Sequence, residues 1–218
     1  MQALITLVIA TRNNGKKSEI QDLLKGFSVR IKNLNDFGPI PSVEEIGRTF
    51  EENAYLKASF AARILGVPAL ADDSGISIPA LGGAPGIHSA RYAGENATDA
   101  QRCDKLLNEM ENKTNRKAAF ECAISIAVPS GPALSYEARC EGLITDKPAG
   151  KNGFGYDPIF YYPPLKKTFA QLTREEKSRV SHRGKALREL GDEFDKVLTW
   201  IRRHMPVLDG FDPLHASQ

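Results

Sequence analysis

Residues 67–75, Val67-Pro68-Ala69-Leu70-Ala71-Asp72-Asp73-Ser74-Gly75, place two adjacent carboxylates at the end of a short apolar run. The apolar part predicts a buried strand, and Gly75 would let the backbone turn after it. Strand ends of this kind are where α/β proteins place ligand sites. Because successive side chains of an extended segment point to opposite sides, we expect one aspartate to face a site and the other to support the turn. An ordinary acidic surface turn fits the same residues, since Asp, Ser and Gly are common in turns.

Length and composition restrict the class of protein. The 218 residues are enough for one large domain or for two lobes that share a cleft. Apolar residues make up 41% and charged residues 26%, as in ordinary globular proteins. The 29 Lys and Arg nearly balance the 27 Asp and Glu, so the net charge of +2 argues against a nucleic-acid partner or a membrane surface.

Cysteine usage and the apolar start indicate the compartment. Cys103, Cys122 and Cys140 form no Cys-x-x-Cys pair, so neither a disulfide framework nor a structural zinc site is expected. The apolar start, residues 3–10, is too short for a membrane span and lacks the basic leader of a signal peptide. We therefore expect a cytoplasmic protein.

A polar loop, residues 11–17, lies between an apolar strand pattern at 4–10 and a helical pattern that ends at Gly26. Free N–H groups and the dipole at a helix start favour an anion such as phosphate, and Lys16 or Lys17 would add positive charge. The loop is not a Walker A motif, because its first glycine is replaced by Ala10 and its Ser or Thr by Lys17. A solvated connection between strand and helix is the alternative interpretation.

A second pair of carboxylates, Glu44 and Glu45, lies just before a helix that Thr49-Phe50-Glu51-Glu52 caps and Gly66 ends. These glutamates either favour the helix dipole or place one carboxylate beside Asp73 as a magnesium ligand.

The second half of the chain predicts a hairpin and two binding segments. Alternating apolar residues over 118–144, with a turn at 129–132, predict two long antiparallel strands in a second lobe. Glycines flank Phe154, so its ring either stacks on a nucleobase or packs into the core. On the glycine-rich loop at 82–94, His88 and Arg91 are surface residues by default, with ligand contact as the alternative.

The last third predicts one long helix that Ser181 caps and that ends near residue 203. His182 and Arg183 lie in its first turn, where positive side chains oppose the dipole, which favours a ligand-binding role for them. We divide the chain into a two-lobed domain, residues 1–205, and a loosely held tail, residues 206–218.

Taken together, these stretches resemble the inosine triphosphate pyrophosphatase family, also called Ham1-like. The segments that carry the resemblance, in chain order, are Thr11–Lys16, Thr49–Ala58, Ala71–Gly75, Pro85–Gly94, Gly153–Phe160 and Ser181–Arg183. The resemblance implies an α/β fold of two lobes with a central mixed, twisted β-sheet flanked by helices. It also implies a long hairpin in the second lobe, an active-site cleft between the lobes and a homodimer.

The resemblance further implies a Mg²⁺-dependent site and a role for each of its residues. Asp73 would be the catalytic proton acceptor and, with Glu45, a metal ligand, which leaves Asp72 as the support. The phosphate-binding residues would be Thr11, Asn13, Asn14, Gly15, Lys16 and Lys57. The remaining substrate contacts would be Ser74, Phe154, Gly155, Tyr156, Asp157, Lys177, His182 and Arg183. The chain departs from the family pattern in having Ile46 where Thr is usual and Ala149 where Arg is common.

The implied reaction is hydrolysis of noncanonical purine nucleoside triphosphates (ITP, dITP and XTP) to the monophosphate and pyrophosphate. Hypoxanthine and xanthine carry a carbonyl acceptor at position 6, where adenine has an amino donor. Donors from His182, Arg183 or local backbone N–H groups would therefore reject adenine. Two alternatives are a pyrophosphatase for modified pyrimidine triphosphates, as in Maf-like proteins, and a catalytically silent nucleotide sensor.

Overall fold

The computed structural model describes residues 4–129 and 131–205. The strands are β1 (Ile5–Ile9), β2 (Val29–Asn33), β3 (Ala69–Ser77), β4 (Lys117–Ala127), β5 (Ala133–Ile144), β6 (Phe160–Tyr162) and β7 (Lys167–Thr168). The helices are α1 (Asn14–Leu24), α2 (Phe50–Leu65), α3 (Asp99–Glu109), α4 (Arg174–Val180), α5 (His182–Asp192) and α6 (Phe194–His204). The proposed tail, residues 206–218, lies outside the described residues.

All seven strands form one mixed sheet in the order β2-β1-β3-β4-β5-β6-β7. β1 is parallel to β2 and β3, and every later pairing is antiparallel. The predicted hairpin is confirmed as β4 and β5, which pair from Lys117 opposite Leu143 to Ala127 opposite Ala133. The α/β class and the central mixed sheet are therefore confirmed.

Three apolar clusters hold the helices on the sheet. On one face, α1, α5 and α6 pack on β1, β4 and β5 around Leu7, Ile20, Ile124 and Phe194. On the other face, α2 uses alanines, among them Ala58 and Ala62, against the small residues of β3 and β4, which lets the helix approach the sheet closely. The third cluster lies around Phe120, Phe160 and Phe169 and includes buried side chains of α3. In the described part of the chain, no helix is long and apolar enough to cross a membrane.

The acidic motif is not a turn, contrary to our expectation. β3 continues through it to Ser77, so Asp72 and Asp73 lie in the middle of a strand and pair with β4. Gly75 does not form a turn; glycine is required here because the backbone of β3 closely approaches the segment at 86–89. A Cβ at this position would lie 2.4 Å from both the Gly86 carbonyl oxygen and the Ser89 Oγ.

The single long C-terminal helix was also predicted wrongly. The segment forms two helices, α5 and α6, that meet at Glu193, whose φ of −107° and ψ of 4° break the helical path. The change of direction lets Phe194 enter the core with no exposed surface. His182 and Arg183 nevertheless begin α5, as predicted.

Candidate active site

A cleft of about 370 Å³ lies where β1 ends and β3 continues. β1 pairs with β3 only at Ala69 and Leu70, whereas β4 accompanies β3 along its whole length. From Ala71 to Gly75, one edge of β3 therefore has no strand partner and faces the cleft, whereas Ser89 and Pro85 cover the same edge at Ile76 and Ser77. This geometry explains how side chains from opposite faces of β3 line the same cavity, as Asp72 and Asp73 both do.

Asp72 belongs to the face covered by α1 and α5. Its Oδ2 lies 2.9 Å from Lys16 Nζ and 3.1 Å from Arg183 Nε, and the side chain is fully buried. Burial opposes ionisation, but the Lys16 and Arg183 cations outweigh it and hold the pKa of the Asp72 carboxyl well below its usual range. Asp72 is therefore a permanently charged anchor and a poor proton acceptor.

Asp73 belongs to the face covered by α2. Its Oδ1 lies 2.8 Å from Lys57 Nζ, and its Oδ2 accepts a hydrogen bond from Asn53 Nδ2 at 3.3 Å. Burial raises the pKa of the Asp73 carboxyl, and the neighbouring Lys57 cation only partly offsets that effect. A carboxylate with a raised pKa is the better proton acceptor of the two.

Glu45 shares the Lys57 ammonium with Asp73. Lys57 Nζ lies 3.0 Å from Glu45 Oε1, and Arg91 Nη1 lies 3.2 Å from Glu45 Oε2. Burial tends to raise the pKa of Glu45, but the Lys57 and Arg91 cations outweigh it and lower that pKa. Asn53 ties the Glu45 loop to Asp73, because its Oδ1 also accepts a hydrogen bond from Gly47 N at 2.8 Å.

The paired carboxylates are a suitable donor set for Mg²⁺. Carboxylate oxygens of Glu45 and Asp73 already converge on one cation, the Lys57 ammonium, and hard oxygen ligands suit Mg²⁺. Within residues 4–129 and 131–205, no group of three or more His, Cys, Asp or Glu could hold a metal. A Mg²⁺ ion at this pair would therefore take its other ligands from substrate phosphate and water, as is usual for this ion.

The predicted phosphate loop is an ordered helix start. Asn13 Oδ1 caps α1 by accepting from Lys16 N at 3.0 Å, and Thr11 Oγ1 accepts from Asn13 N at 3.2 Å. The first turn of α1 therefore begins at the wall of the cleft, with the Lys16 ammonium beside Asp72. Arg12 Nη2 donates to the Ile40 carbonyl at 2.7 Å and so links this loop to the segment that leads to Glu45.

The glycine-rich segment around Phe154 forms a second wall, which adjoins the phosphate loop. The Phe154 ring lies against Gly15, where a Cβ would come within 2.7 Å of the ring, and Lys177 Nζ lies 4.5 Å from the ring centroid. Asp157 Oδ2 accepts from Phe154 N at 2.9 Å and from Lys177 Nζ at 2.6 Å. Tyr156 is buried and donates its hydroxyl to the Ser89 carbonyl at 2.8 Å. These bonds fix the shape of the segment beside the phosphate loop.

His182 and Arg183 both line the cleft in different ways. The His182 ring stacks on Phe120 with ring centroids 4.6 Å apart. Burial, and to a lesser extent the nearby Arg183 charge, hold the pKa of His182 well below its usual value. Its neutral imidazole can donate one hydrogen bond. The Arg183 guanidinium is bonded within the protein, to Asp72, to Glu19 at 2.7 Å and to Ser74 Oγ at 2.9 Å. Arg183 thus organises the wall that carries Ser74.

The lining of one cleft includes every predicted site residue except Asn14 and Gly15, although several lie there mainly to hold others. Sequence reasoning missed Asn53, which is four residues before Lys57 and therefore shares its helix face, a spacing that could have identified it. Arg91 was assigned by default to the surface, whereas it contacts Glu45. Of the two departures, Ile46 is 75% exposed and does not pack around Glu45, and the Ala149 backbone braces the neighbouring loop by donating to Pro158 O at 2.9 Å.

Comparison with known proteins gives consistent matches. A model of the Ham1 family matches residues 7–193. A Syntrophobacter fumaroxidans protein named dITP/XTP pyrophosphatase is 62% identical over 195 residues, which cover 89% of this chain and 84% of that protein. A protein of the same name from Geobacillus kaustophilus is 48% identical over 194 residues, which cover 88% of this chain and 95% of that protein.

Solved structures agree with the sequence matches. A HAM1 protein from Coxiella burnetii has a TM-score of 0.83 and 44% identity, covering 88% of this chain and 99% of that one. The Staphylococcus aureus Ham1 protein has a TM-score of 0.81 and 43% identity, with the same coverage. The family match spans most of the chain, and close relatives align along nearly their whole length. The chain therefore belongs to the Ham1 family.

Proposed function

We propose that this protein is a nucleoside triphosphate pyrophosphatase that hydrolyses the noncanonical purine nucleotides ITP, dITP and XTP to the monophosphate and pyrophosphate. The observation that carries the proposal is the shared cation of Asp73 and Glu45, which lies in the same cleft as the α1 N-terminus and the Phe154 segment. The name dITP/XTP pyrophosphatase, borne by relatives up to 62% identical, supports the choice of substrate.

Mg²⁺ is the proposed cofactor, held by Glu45 and Asp73. When bound, the ion would neutralise phosphate charge and polarise the phosphoryl oxygens. The Lys57 ammonium, which the two carboxylates now share, is then free to pair with a phosphate oxygen. Lys16 and the first-turn N–H groups of α1 bind further phosphate oxygens at the opposite side of the cleft.

The chemical step is an attack of water on the α-phosphorus. The new bond joins the water oxygen to that phosphorus, the bond from the α-phosphorus to the bridging oxygen breaks, and pyrophosphate leaves with the bonding pair. Asp73 accepts the proton that water loses. Lys16 and Lys57 stabilise the negative charge that develops on the phosphates.

Selection of the base follows from the donors beside the Phe154 segment. The neutral His182 ring and the Lys177 ammonium can each donate to a carbonyl at position 6 of the purine. Adenine presents an amino group there, so a donor of the protein would face a donor of the base. Both groups would be buried without a hydrogen-bond partner, which weakens binding of adenine. The Phe154 and Gly155 N–H groups already donate to Asp157 and Asp99, so the side chains are the better candidates for this role.

The test is product analysis with purified protein, Mg²⁺ and dITP. We expect deoxyinosine monophosphate and pyrophosphate in equal amounts, with dATP cleaved far more slowly. Orthophosphate plus the diphosphate would contradict the proposed reaction. A modified pyrimidine triphosphate cleaved faster than dITP would favour the Maf-like alternative, and tight dITP binding without product would favour the sensor.

Two further expectations, a homodimer and a cytoplasmic location, stay proposals. The cysteines Cys103, Cys122 and Cys140 are all buried and free, which fits a reducing compartment. Light scattering coupled to size exclusion would test the dimer, with a mass near 24 kDa contradicting it, because one chain is 23.9 kDa.

A further inference from the structure

Helix α3 holds both polar backbone groups of Gly155. The Gly155 N–H donates to Asp99 Oδ2 at 2.7 Å, and the Gly155 carbonyl accepts from Cys103 Sγ at 3.4 Å. Asp99 and Cys103 are one helical turn apart, so they lie on the same face of α3. The first turn of this helix therefore contacts the segment that carries Phe154.

The first turn of α3 is itself held firmly. Thr98 and Gln101 form a reciprocal capping box at its start. Arg102 pairs with the second oxygen of Asp99 and also donates to the carbonyls of Ala90, at 3.1 Å, and Ala97. The Asp99 carboxylate is therefore oriented before any ligand arrives.

Gly155 connects the two aromatic residues of the cleft wall. Its φ of +63° is in the left-handed region, so its backbone reverses direction between Phe154 and Tyr156. On one side the Phe154 ring reaches Gly15 in the phosphate loop, and on the other the Tyr156 hydroxyl reaches Ser89. A shift at Gly155 would displace both aromatic side chains from these contacts and change the shape of the cleft.

We propose that Asp99 is a positioning residue for the nucleobase pocket, acting through the Gly155 N–H to hold the Phe154 ring and the Tyr156 backbone in place. The inference rests on the proposed function, since it takes this wall to be the side of the cleft that receives the base. In this role Asp99 contacts neither the phosphates nor the attacking water. Its loss should therefore weaken base binding and selectivity, with a smaller effect on the chemical step.

The test compares Asp99→Ala and Asp99→Asn with Asp104→Asn, an exposed carboxylate on the same helix. Calorimetry with inosine monophosphate in the absence of metal measures base binding apart from catalysis. Steady-state kinetics with dITP and dATP measure KM, kcat and selectivity, and thermal unfolding of each variant reports on the fold.

For Asp99→Ala we expect Kd for inosine monophosphate and KM for dITP to rise about tenfold, the scale of one lost charge-assisted hydrogen bond. We expect kcat to stay within about threefold, and the preference for dITP over dATP to fall. Asp99→Asn should show the same changes at about threefold, because its amide oxygen still accepts from Gly155 but loses the negative charge. Asp104→Asn should behave as wild type.

An Asp99→Ala variant with wild-type Kd and KM would overturn the proposal, as would one that loses kcat while KM is unchanged. If Asp99→Ala does not fold, the comparison of Asp99→Asn with Asp104→Asn decides by the same criteria. A wild-type protein that does not cleave dITP would overturn the proposed function and this inference with it. Wild-type turnover together with unaffected Asp99 variants would overturn the inference alone.

Discussion

Asp72 and Asp73 are consecutive residues of β3, yet their carboxylates lie on opposite faces of the strand and bind different cations. Asp72 contacts Lys16 and Arg183, and Asp73 contacts Lys57. Burial tends to raise the pKa of both carboxyls. At Asp72 the cations Lys16 and Arg183 outweigh burial and lower the pKa, whereas at Asp73 burial outweighs the Lys57 cation and the pKa is raised. The pair therefore divides into an anchor and a proton acceptor.

The first prediction separates the two roles by substitution. Asp73→Asn should lower kcat by about 10²-fold or more, as expected for loss of a general base, and keep the fold. Asp72→Asn should instead lower the free energy of unfolding by about 3 kcal/mol, because it leaves Lys16 and Arg183 without their buried counter-charge. Denaturant unfolding and dITP turnover of both variants provide the measurement. A stable Asp72→Asn protein without turnover would show that the roles are reversed.

A second prediction concerns Lys57, whose ammonium lies between the carboxylates proposed to hold Mg²⁺. Lys57→Gln should lose turnover, because a phosphate contact disappears. The same variant should bind Mn²⁺ several-fold more tightly without substrate, since the ion no longer competes with an ammonium for Glu45 and Asp73. Electron paramagnetic resonance of free Mn²⁺ measures the affinity, with the exposed Lys113→Gln as control. Weaker Mn²⁺ binding by Lys57→Gln would rule out this competition.

The third prediction is a pH dependence of stability that arises from His182. Burial and the Arg183 charge depress the pKa of His182 in the folded protein, while in the unfolded chain it is near 6.5. Below pH 6.5 the unfolded chain binds a proton that the folded protein does not. The contribution of His182 to stability is therefore complete above pH 6.5 and decreases by about 1.4 kcal/mol per pH unit below it.

His182→Gln removes this titration, so the difference in unfolding free energy between wild type and variant should shrink as pH falls from 7 to 5. His88→Gln, at an exposed histidine, provides the control. Equal pH slopes for wild type and His182→Gln would mean that His182 does not become charged on unfolding in this range.

Local sequence patterns predicted much of this architecture, and long-range contacts explain what they missed. The helix cap predicted at Thr49 is present, with Thr49 Oγ1 accepting from Glu52 N at 3.1 Å, because a cap depends only on residues three positions apart. Gly75 was assigned to a turn because a local pattern does not report its contacts with Gly86 and Ser89, which lie in the segment that follows β3.

The site shows the same division. The order of motifs predicted that the acidic segment, the phosphate loop and the start of α5 surround one cleft. It did not predict which groups their side chains bond. Arg183 directs its guanidinium to Asp72, Glu19 and Ser74, a choice that depends on how α5 sits against α1 and β3. Arg91 reaches Glu45 from 46 residues away, a distance at which no local pattern indicates a contact.

The last prediction uses two glycines of α5 with different surroundings. At Gly184 a Cβ would lie 1.8 Å from the Ser178 carbonyl oxygen, so Gly184→Ala must separate α4 from α5. At Gly191 the nearest atom is the end of the Leu23 side chain, 3.0 Å away, which can move aside. Gly184→Ala should lower the free energy of unfolding by about 1–3 kcal/mol, whereas Gly191→Ala should be neutral or stabilising by up to about 1 kcal/mol.

The same pair of variants also tests how α5 supports the site. Separation of α4 from α5 would displace Lys177 at one end of the contact and His182 and Arg183 at the other, so Gly184→Ala should raise KM for dITP while Gly191→Ala leaves it unchanged. Chemical denaturation and steady-state kinetics are the two measurements. A Gly184→Ala protein with wild-type stability and wild-type KM would show that the α4–α5 contact can relax without moving these three side chains.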